Sequence, residues 1–314
     1  MSDCEIRRGE WSEVRLSPFI IPGVAFMGQI HKSEKRSPFH RLQPGDMVMS
    51  LVKSGSNARY MCAQRDQLIK VPNNLDPAEV VCLAETYLSA FQALHLGHKA
   101  AGIRYRGNSL KGNSILILGA GTALGQALIE VALAGGAQHV YATAKEKQFD
   151  AVSEIGGIPL TRDPQDWLTL IGHRISTIVC VDCGIYAENV SAEHLKALTR
   201  DGQVVIIGPP GIETTAANMQ PASHSHPSNL ICTSARKRLR QRSQYYNVFD
   251  KWDADMNMCK RDLSHLLDLL QRGALRPNVL ERIPLAKVAK AQAIVESKRL
   301  SGFIVCDPWL ERWP

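Results

Sequence analysis

The sequence predicts an α/β protein in which a doubly wound parallel sheet is joined to a smaller antiparallel β unit. Near-continuous apolar runs, typical of strands covered on both faces, recur at 115–118, 140–143, 178–182 and 204–208, with helical stretches between them. The 314 residues also exceed the length at which a single hydrophobic core stops growing. We therefore expect more than one domain.

The antiparallel unit is expected first in the chain, where short apolar segments are separated by Gly, Pro, Ser and Asn. These residues form the tight turns between adjacent strands. The expected strands are 24–30, 47–52, 58–63 and 68–71. A helix should then begin at Asp76, because this capping residue is followed by Pro77 and, three residues after the cap, by Glu79.

The C-terminal part returns to helices and one strand. Leucines at helical spacing after Asp262 predict an amphipathic helix that ends at Gly273. A last helix is expected near 285–298, followed by an apolar strand over 302–306.

Composition excludes several classes of protein. With 45% hydrophobic and 21% charged residues, the chain is typical of a globular protein and not of a disordered one. No apolar run reaches the length of a membrane span, and the charges in Met1–Glu10 do not fit a signal peptide. The eight cysteines are scattered, and Cys180 and Cys183 form the one close pair. We therefore expect a cytoplasmic protein with reduced thiols and no zinc site.

The turn after the first parallel strand contains Gly119, Gly121 and Gly125 and leads into a helix. Glycine is needed where a chain turns tightly and where its backbone approaches a pyrophosphate, and Gly125 would let the helix pack close to its strand. The helix N-terminus offers amide hydrogens to phosphates. We predict that this turn binds a dinucleotide, although glycines also occur in α/β turns for steric reasons alone.

The end of the next strand indicates the type of dinucleotide. An acidic residue there would bind the ribose hydroxyls of NAD, but the strand ends in Thr143, Ala144 and Lys145 with no acid among them. Thr143, Lys145 and also Lys147 could bind a 2′-phosphate, which predicts NADPH. Alternatively, the lysines only solubilise the start of a helix.

Further landmarks follow in order along the chain: IRRGEW (6–11), PFIIPG (18–23), PGDMV (44–48), AETYLSAFQAL (84–94), VDCG (181–184) and IIGPPG (206–211). They resemble the medium-chain dehydrogenase/reductase superfamily, specifically its zinc-independent quinone oxidoreductase and enoyl reductase branch. The resemblance implies a GroES-like catalytic β-barrel in 1–86, a Rossmann cofactor domain in 87–252, and a return to the catalytic domain in 253–314. It also implies NADPH-dependent hydride transfer to a quinone or an activated carbon–carbon double bond.

The resemblance assigns a set of residues to the cofactor. They are Gly119, Gly121, Thr122, Ala123, Leu124, Gly125, Thr143, Ala144, Lys145, Arg162, Cys183, Gly208 and Pro209. Near the substrate it implies Trp11, Thr86, Tyr246 and Asn247. Each of these four could instead be an ordinary packing residue, and Tyr60 is an alternative proton donor.

The chain also departs from the family. Zinc-dependent relatives have a Gly-His-Glu motif where this chain has Pro22-Gly23-Val24-Ala25, so no metal is expected. Trp11 stands near the position of a Tyr in many enoyl reductases, and indole has no comparably acidic proton. The chain begins at about the family's Asn-Pro-x-Asp stretch and retains Asp3, but not the two strands that normally come before it. Either the barrel is trimmed at its N-terminus or the gene model lacks its first exon.

The departures leave a second function class open, a cofactor-binding but catalytically weak relative with an interaction or regulatory role. The net charge of +7 favours anionic partners. The basic cluster Arg236–Arg242 is a solvated helix face or a site for a phosphorylated substrate handle such as acyl-CoA, or for RNA; overall we do not expect a nucleic-acid partner. A homodimer and a small-molecule quinone or α,β-unsaturated carbonyl substrate are expected from the family.

Overall fold

The computed structural model describes residues 2–10, 20–33, 42–96, 104–105, 107–172, 174–181, 190, 192–208, 242–297 and 300–310. The chain forms two compact units, Met1–Leu88 with Val248–Pro314, and Ser89–Asn247. The limits of the second unit therefore lie at 88/89 and 247/248, where we expected 86/87 and 252/253.

The first unit contains an antiparallel sheet of three strands in the order β1-β2-β3. Their bounds are Ala25–Gln29 for β1, Met47–Leu51 for β2 and Ile69–Lys70 for β3. Ala25 pairs with Leu51, and Met49 pairs with Ile69. Met49 and Leu51 are buried, and so are Val48 and Ser50 on the opposite face, so both faces of β2 are covered.

The fourth strand expected in this unit is wrong, because residues 58–63 have no strand conformation. The Ala58 amide donates to the carbonyl of Ser56, which is a tight bend that an extended strand does not make. The Arg59 guanidinium carbon lies 5.4 Å from the centroid of the Trp309 ring, and the Tyr60 ring meets that ring edge-on at 5.5 Å. The long side chains of this segment thus make surface contacts in place of a sheet.

The described part of the first unit also contains five α-helices and a two-stranded parallel sheet. The helices are α1 Ser2–Arg8, α2 Pro77–Cys82, α8 Val248–Ala254, α9 Met256–Gln271 and α10 Val288–Ser297. The paired strands are β10 Val279–Ile283 and β11 Phe303–Cys306. As the sequence predicts, Asp76 caps α2, with its Oδ1 accepting from the Ala78 amide at 3.0 Å. Helix α9 begins earlier than expected because Asp255 caps it. The Asp255 Oδ1 accepts a hydrogen bond from the Met258 amide at 2.9 Å.

The second unit is built on a six-stranded parallel sheet in the order β6-β5-β4-β7-β8-β9. The strands are β4 Ser114–Leu118, β5 His139–Thr143, β6 Ile158–Leu160, β7 Ile175–Val181, β8 Leu198–Ile207 and β9 Ser243–Tyr246. The first strand, β4, lies between β5 and β7, so the winding reverses direction at β4. This confirms the predicted doubly wound α/β fold.

Helices accompany these strands along the chain. They are α3 Leu88–Leu94, α4 Ala123–Ala134, α5 Phe149–Glu154, α6 Leu168–Ile171 and α7 Ala192–Lys196. Leu116 and Leu118 of β4 pack in a buried cluster with Trp167 and Leu198. Ile115 and Ile117 of the same strand are equally buried and, by alternation, point to the opposite face. Both faces of the sheet are therefore covered, which explains its unbroken apolar runs.

The last strand of the parallel sheet, β9, ends at Tyr246, and the chain continues into α8 at Val248. Cys180, on β7, is disulfide-bonded, so the expectation of reduced thiols is wrong at this position. Spacing along the chain does not report which sulfur atoms meet in space.

None of the described helices combines the length and the apolar character needed to cross a bilayer.

Candidate functional site

The carboxyl ends of the parallel strands meet at one edge of the second unit's sheet. Leu118 of β4 pairs with Thr143 of β5 on one side and with Cys180 of β7 on the other. Thr143 pairs in turn with Leu160 of β6. The residues that follow these positions therefore lie side by side, and the turn after β4 is located where the winding reverses. Ligands of doubly wound sheets bind at this point.

The glycine turn is shaped by close backbone contacts. Gly119 has a φ of +98°, which favours glycine, and a Cβ there would lie 3.5 Å from the Cβ of Val181 on β7. A Cβ on Gly125 would lie 2.5 Å from the Gly119 oxygen and from the Ala120 Cα. Helix α4 can therefore begin directly against the turn only because residue 125 has no side chain.

Thr122 caps helix α4 and holds the turn closed. Its hydroxyl accepts a hydrogen bond from the Gly125 amide and donates one to the Gly119 carbonyl, both at 3.0 Å. The amides of Ala123 and Leu124 occupy the first helical positions, which lack intrahelical acceptors. They are directed outward with the partial positive charge of a twelve-residue helix. These groups suit a pyrophosphate.

The strand tip after β5 contains two of the predicted cofactor contacts, Thr143 and Ala144. Thr143 is fully buried, and its hydroxyl accepts a hydrogen bond from the Gly119 amide at 3.2 Å. Ala144 is also buried, and its amide donates to the Leu160 carbonyl. Neither side chain is exposed to a 2′-phosphate. Thr143 instead attaches the glycine turn to the neighbouring strand, a role that the sequence pattern did not reveal.

Lys145 and Arg162 remain as exposed cations at the same edge. Thr143 of β5 pairs with Leu160 of β6. Lys145 lies two residues beyond Thr143, and Arg162 lies two residues beyond Leu160. The register thus brings the two positions to the ends of neighbouring strands. An ammonium and a guanidinium there could both bind a phosphate, the latter in a bidentate manner.

Gln148 is a contact residue of this edge that we did not predict. Its Nε2 donates to the Gly121 carbonyl at 3.2 Å, and its Oε1 accepts from the Lys145 amide at 3.4 Å. A glutamine three residues after a helix-capping residue is a known signature of this return contact. The signature is hard to recognise here because the capping position holds Lys145 and not Ser or Thr.

The predicted nicotinamide side of the edge is held by its own hydrogen bonds. Asn247 Nδ2 donates to the Gly208 carbonyl at 2.8 Å, and the Gly208 amide donates to the Tyr246 carbonyl at 3.2 Å. Tyr246 is fully buried, and its hydroxyl donates to Gln92 Oε1 at 2.8 Å. The polar atom of Tyr246 therefore lies inside the unit, and a contact of this residue with substrate stays a prediction. Gln92, like Gln148, was not predicted.

Thr86 lies in the first unit, within a π-helical turn, Leu83–Tyr87, and is half-buried. Such turns occur often at functional sites. Next to it, the Glu85 carboxyl accepts a hydrogen bond from the Ser2 hydroxyl, and loss of hydration raises its pKa. Loss of hydration also raises the pKa of Asp3, whose Oδ1 accepts from the Gly23 amide at 2.9 Å.

The remaining predicted residues divide into two groups. Tyr60 is 67% exposed and lies in the segment 58–63, which does not form the expected strand. Trp11, Cys183, Pro209 and most of the cluster Arg236–Arg242 lie outside the described residues. At the end of that cluster, Arg242 donates to the Thr199 and Arg200 carbonyls. Within the described ranges, His, Cys, Asp and Glu side chains nowhere form a group of three that could hold a metal ion.

Comparison with known proteins adds a family to this geometry. Residues 165–305 match the family model described as zinc-binding dehydrogenase. The "Quinone oxidoreductase-like protein 2 homolog" of Nematostella vectensis is 24% identical over 308 residues, which cover 95% of this chain and 76% of that protein. The "Reducing polyketide synthase PKS2" of Cochliobolus heterostrophus is 31% identical over 172 residues, or 54% of this chain. The match spans only 7% of the synthase.

Among solved structures, a mycobacterial protein described as complexed with NADPH has a TM-score of 0.69 and 17% identity. The alignment covers 98% of this chain and 87% of that one. At this identity the likeness reports the fold, a Rossmann domain together with a GroES-like domain. The chain thus matches a zinc-binding dehydrogenase family model over a little under half of its length, and its relatives and structural neighbours are quinone oxidoreductase-like and enoyl reductase members of the medium-chain dehydrogenase/reductase superfamily.

Proposed function

We propose that the protein is an NADPH-dependent oxidoreductase that reduces a quinone or an activated carbon–carbon double bond by hydride transfer, without zinc. The observation that carries the proposal is the carboxyl edge of the parallel sheet. There, a glycine turn at the reversal point adjoins a strand tip that exposes Lys145 and has no acidic residue before it. An acid at that tip would favour NAD, whereas a cation favours a 2′-phosphate.

The described residues fit a dinucleotide. The amides of Ala123 and Leu124, at the start of helix α4, offer donors to a pyrophosphate. Lys145 and Arg162 would hold the 2′-phosphate, and Asn247 would keep the Gly208 loop in place on the nicotinamide side. Bound NADPH would supply the hydride. The protein's part is to orient the two reactants and to polarise the acceptor.

On the substrate side, we assign Thr86 as a hydroxyl donor to the acceptor's oxygen, with Trp11 as an apolar contact. The half-buried position of Thr86 in a π-helical turn supports this role. A homodimer and a cytoplasmic location belong to the same proposal, and light scattering and cell fractionation would test them.

The test is a coenzyme oxidation assay over a panel of quinones and α,β-unsaturated carbonyls. We expect NADPH oxidation with at least one member, a much higher KM for NADH, and no loss of activity after treatment with a chelator. Lys145→Ala should raise the KM for NADPH far more than the KM for NADH. An unchanged ratio of the two values would contradict the NADPH assignment, and loss of activity on chelation would contradict zinc independence.

A second candidate, a relative that binds the cofactor but turns over weakly, is favoured by one observation. The Tyr246 hydroxyl donates to Gln92 inside the second unit, so the polar atom of one of the four residues expected near the substrate is engaged elsewhere. Tight NADPH binding without turnover across the whole panel would support this candidate against the first.

A further inference from the structure

The carboxamide of Gln148 joins the two loops of the proposed cofactor site. Its Nε2 donates to the carbonyl of Gly121 in the glycine turn, and its Oε1 accepts from the amide of Lys145 at the strand tip. Gln148 also donates its own amide to the Lys145 carbonyl at 2.8 Å. The nitrogen and the oxygen of the carboxamide thus each make a hydrogen bond, one to each loop. Gln148 is half-buried between the two loops.

The contact with the glycine turn is close. A Cβ at residue 121 would lie 2.6 Å from the Cδ of Gln148, a separation that non-bonded atoms do not tolerate. The absence of a side chain at Gly121 thus leaves room for this carboxamide beside the turn. A side chain at 121 would displace Gln148 and release the Lys145 amide with it.

We propose that Gln148 is a positioning residue that sets the preference for a 2′-phosphorylated cofactor, because it holds the backbone of Lys145 against the glycine turn. The inference rests on the proposed use of NADPH. Lys145 is exposed, and its segment, Lys145–Gln148, forms only a short 3-10 turn. A lysine on a loop fixed in this way loses less freedom when it binds phosphate than a lysine on a loose loop.

The test compares ligands that differ by the 2′-phosphate, with Gln148→Met as the main variant. Methionine has a similar length but makes no comparable hydrogen bonds. Isothermal titration would give the Kd of 2′,5′-ADP and of 5′-AMP. We expect Gln148→Met to weaken 2′,5′-ADP about tenfold, the scale of one or two hydrogen bonds, with the Kd of 5′-AMP nearly unchanged. Gln244→Met is the matched control, since Gln244 is exposed on β9 and bonds to Gln203.

A double-mutant cycle shows whether Gln148 acts through Lys145. In a Lys145→Ala background, Gln148→Met should leave the remaining preference for 2′,5′-ADP unchanged, because the side chain that it positions is gone. Additive effects of the two substitutions would overturn the inference. So would an equal loss of affinity for both ligands, which would indicate a general effect on the turn.

Hydrogen exchange separates this inference from the proposed function. In the protein without ligand, exchange of the Lys145 amide should be faster in Gln148→Met than in the wild type, and unchanged exchange would overturn the contact itself. If the wild type does not prefer 2′,5′-ADP over 5′-AMP, the NADPH assignment fails, and the inference fails with it. If the wild type prefers 2′,5′-ADP and Gln148→Met keeps the full preference, only the inference fails.

Discussion

The carboxyl edge of the parallel sheet and the helical layer formed by α6 and α7 both bury polar side chains, but with different consequences. At the edge, the Thr143 hydroxyl is neutral and bonds to the backbone of the glycine turn. In the layer, His194 is only 4% exposed, and the centroid of its ring lies 5.8 Å from the centroid of the Trp167 ring. Loss of hydration lowers the pKa of His194 to about 4.

The difference shows how one domain can keep binding and stability apart. A buried hydroxyl does not ionise near neutral pH, so the shape of the glycine turn should not depend on pH. A buried histidine does ionise, and its charged form is penalised in the folded state. Removing an exposed cation at the edge should therefore change cofactor binding with little effect on stability, whereas changes to the packed backbone of the glycine turn or to His194 in the layer should change folding stability.

The largest effect is expected from Gly125→Val. The added side chain would meet the Gly119 oxygen and the Ala120 Cα, which are backbone atoms that cannot turn away. We expect a loss of about 3 kcal/mol or more in the free energy of unfolding, at the upper end of the range for overpacking. Urea denaturation would measure it. Gly107→Val is the control, because a Cβ there has no atom within 4 Å, and an equal loss in both variants would contradict the close-packing argument.

Lowering the pH should destabilise the protein through the layer. The pKa of His194 is about 4 in the folded state, against 6.5 for a histidine in water, so the unfolded state binds more protons between these limits. Stability should therefore fall as the pH drops from 6.5 towards 4, by a total of about 3 kcal/mol from this residue. Urea denaturation at a series of pH values would show this slope.

His194→Gln should flatten that slope, and His31→Gln, at an exposed histidine, should leave it unchanged. A slope that persists in His194→Gln would show that another group is responsible. The affinity for NADPH should stay the same in His194→Gln, in keeping with the separation between layer and edge.

At the edge, Lys145→Ala should weaken NADPH binding about 10- to 100-fold, since a charged hydrogen bond contributes roughly 1.5–3 kcal/mol. NADH binding and the free energy of unfolding should change little. Fluorescence titration of both coenzymes would measure the effect. Lys196→Ala, at an exposed lysine on α7, is the matched control and should bind both coenzymes as the wild type does.

The smallest effect is expected from Thr122→Ala, which removes the cap of α4. Loss of an N-cap costs about 1 kcal/mol of stability. Thr122→Ser should restore most of it, because serine retains the hydroxyl that accepts from the Gly125 amide. Thermal denaturation would compare the three proteins, and equal stability of the Ala and Ser variants would rule out a capping role.

Local patterns in the sequence were enough to predict the parallel sheet and its glycine turn. The apolar runs at 115–118 and 140–143 became β4 and β5, because strands covered on both faces need apolar residues at every position. The capping role of Asp76 could also be predicted, because a cap and its amide lie within a few residues of each other. Backbone sterics and periodicity act over such short distances.

The tertiary structure decided which side chains are buried and what they contact. Gln148 bonds to a residue 27 positions away, and Tyr246 bonds to Gln92, 154 positions away. Neither pairing leaves a mark in the local pattern, so Tyr246 was assigned to the substrate and Gln148 to nothing. Thr143 was assigned to a phosphate for the same reason, because a hydroxyl at a strand end looks alike whether it faces solvent or a neighbouring turn. The sequence by itself determined the fold class and the location of the glycine turn. Only the packing of distant segments decided which polar groups remain exposed to a ligand.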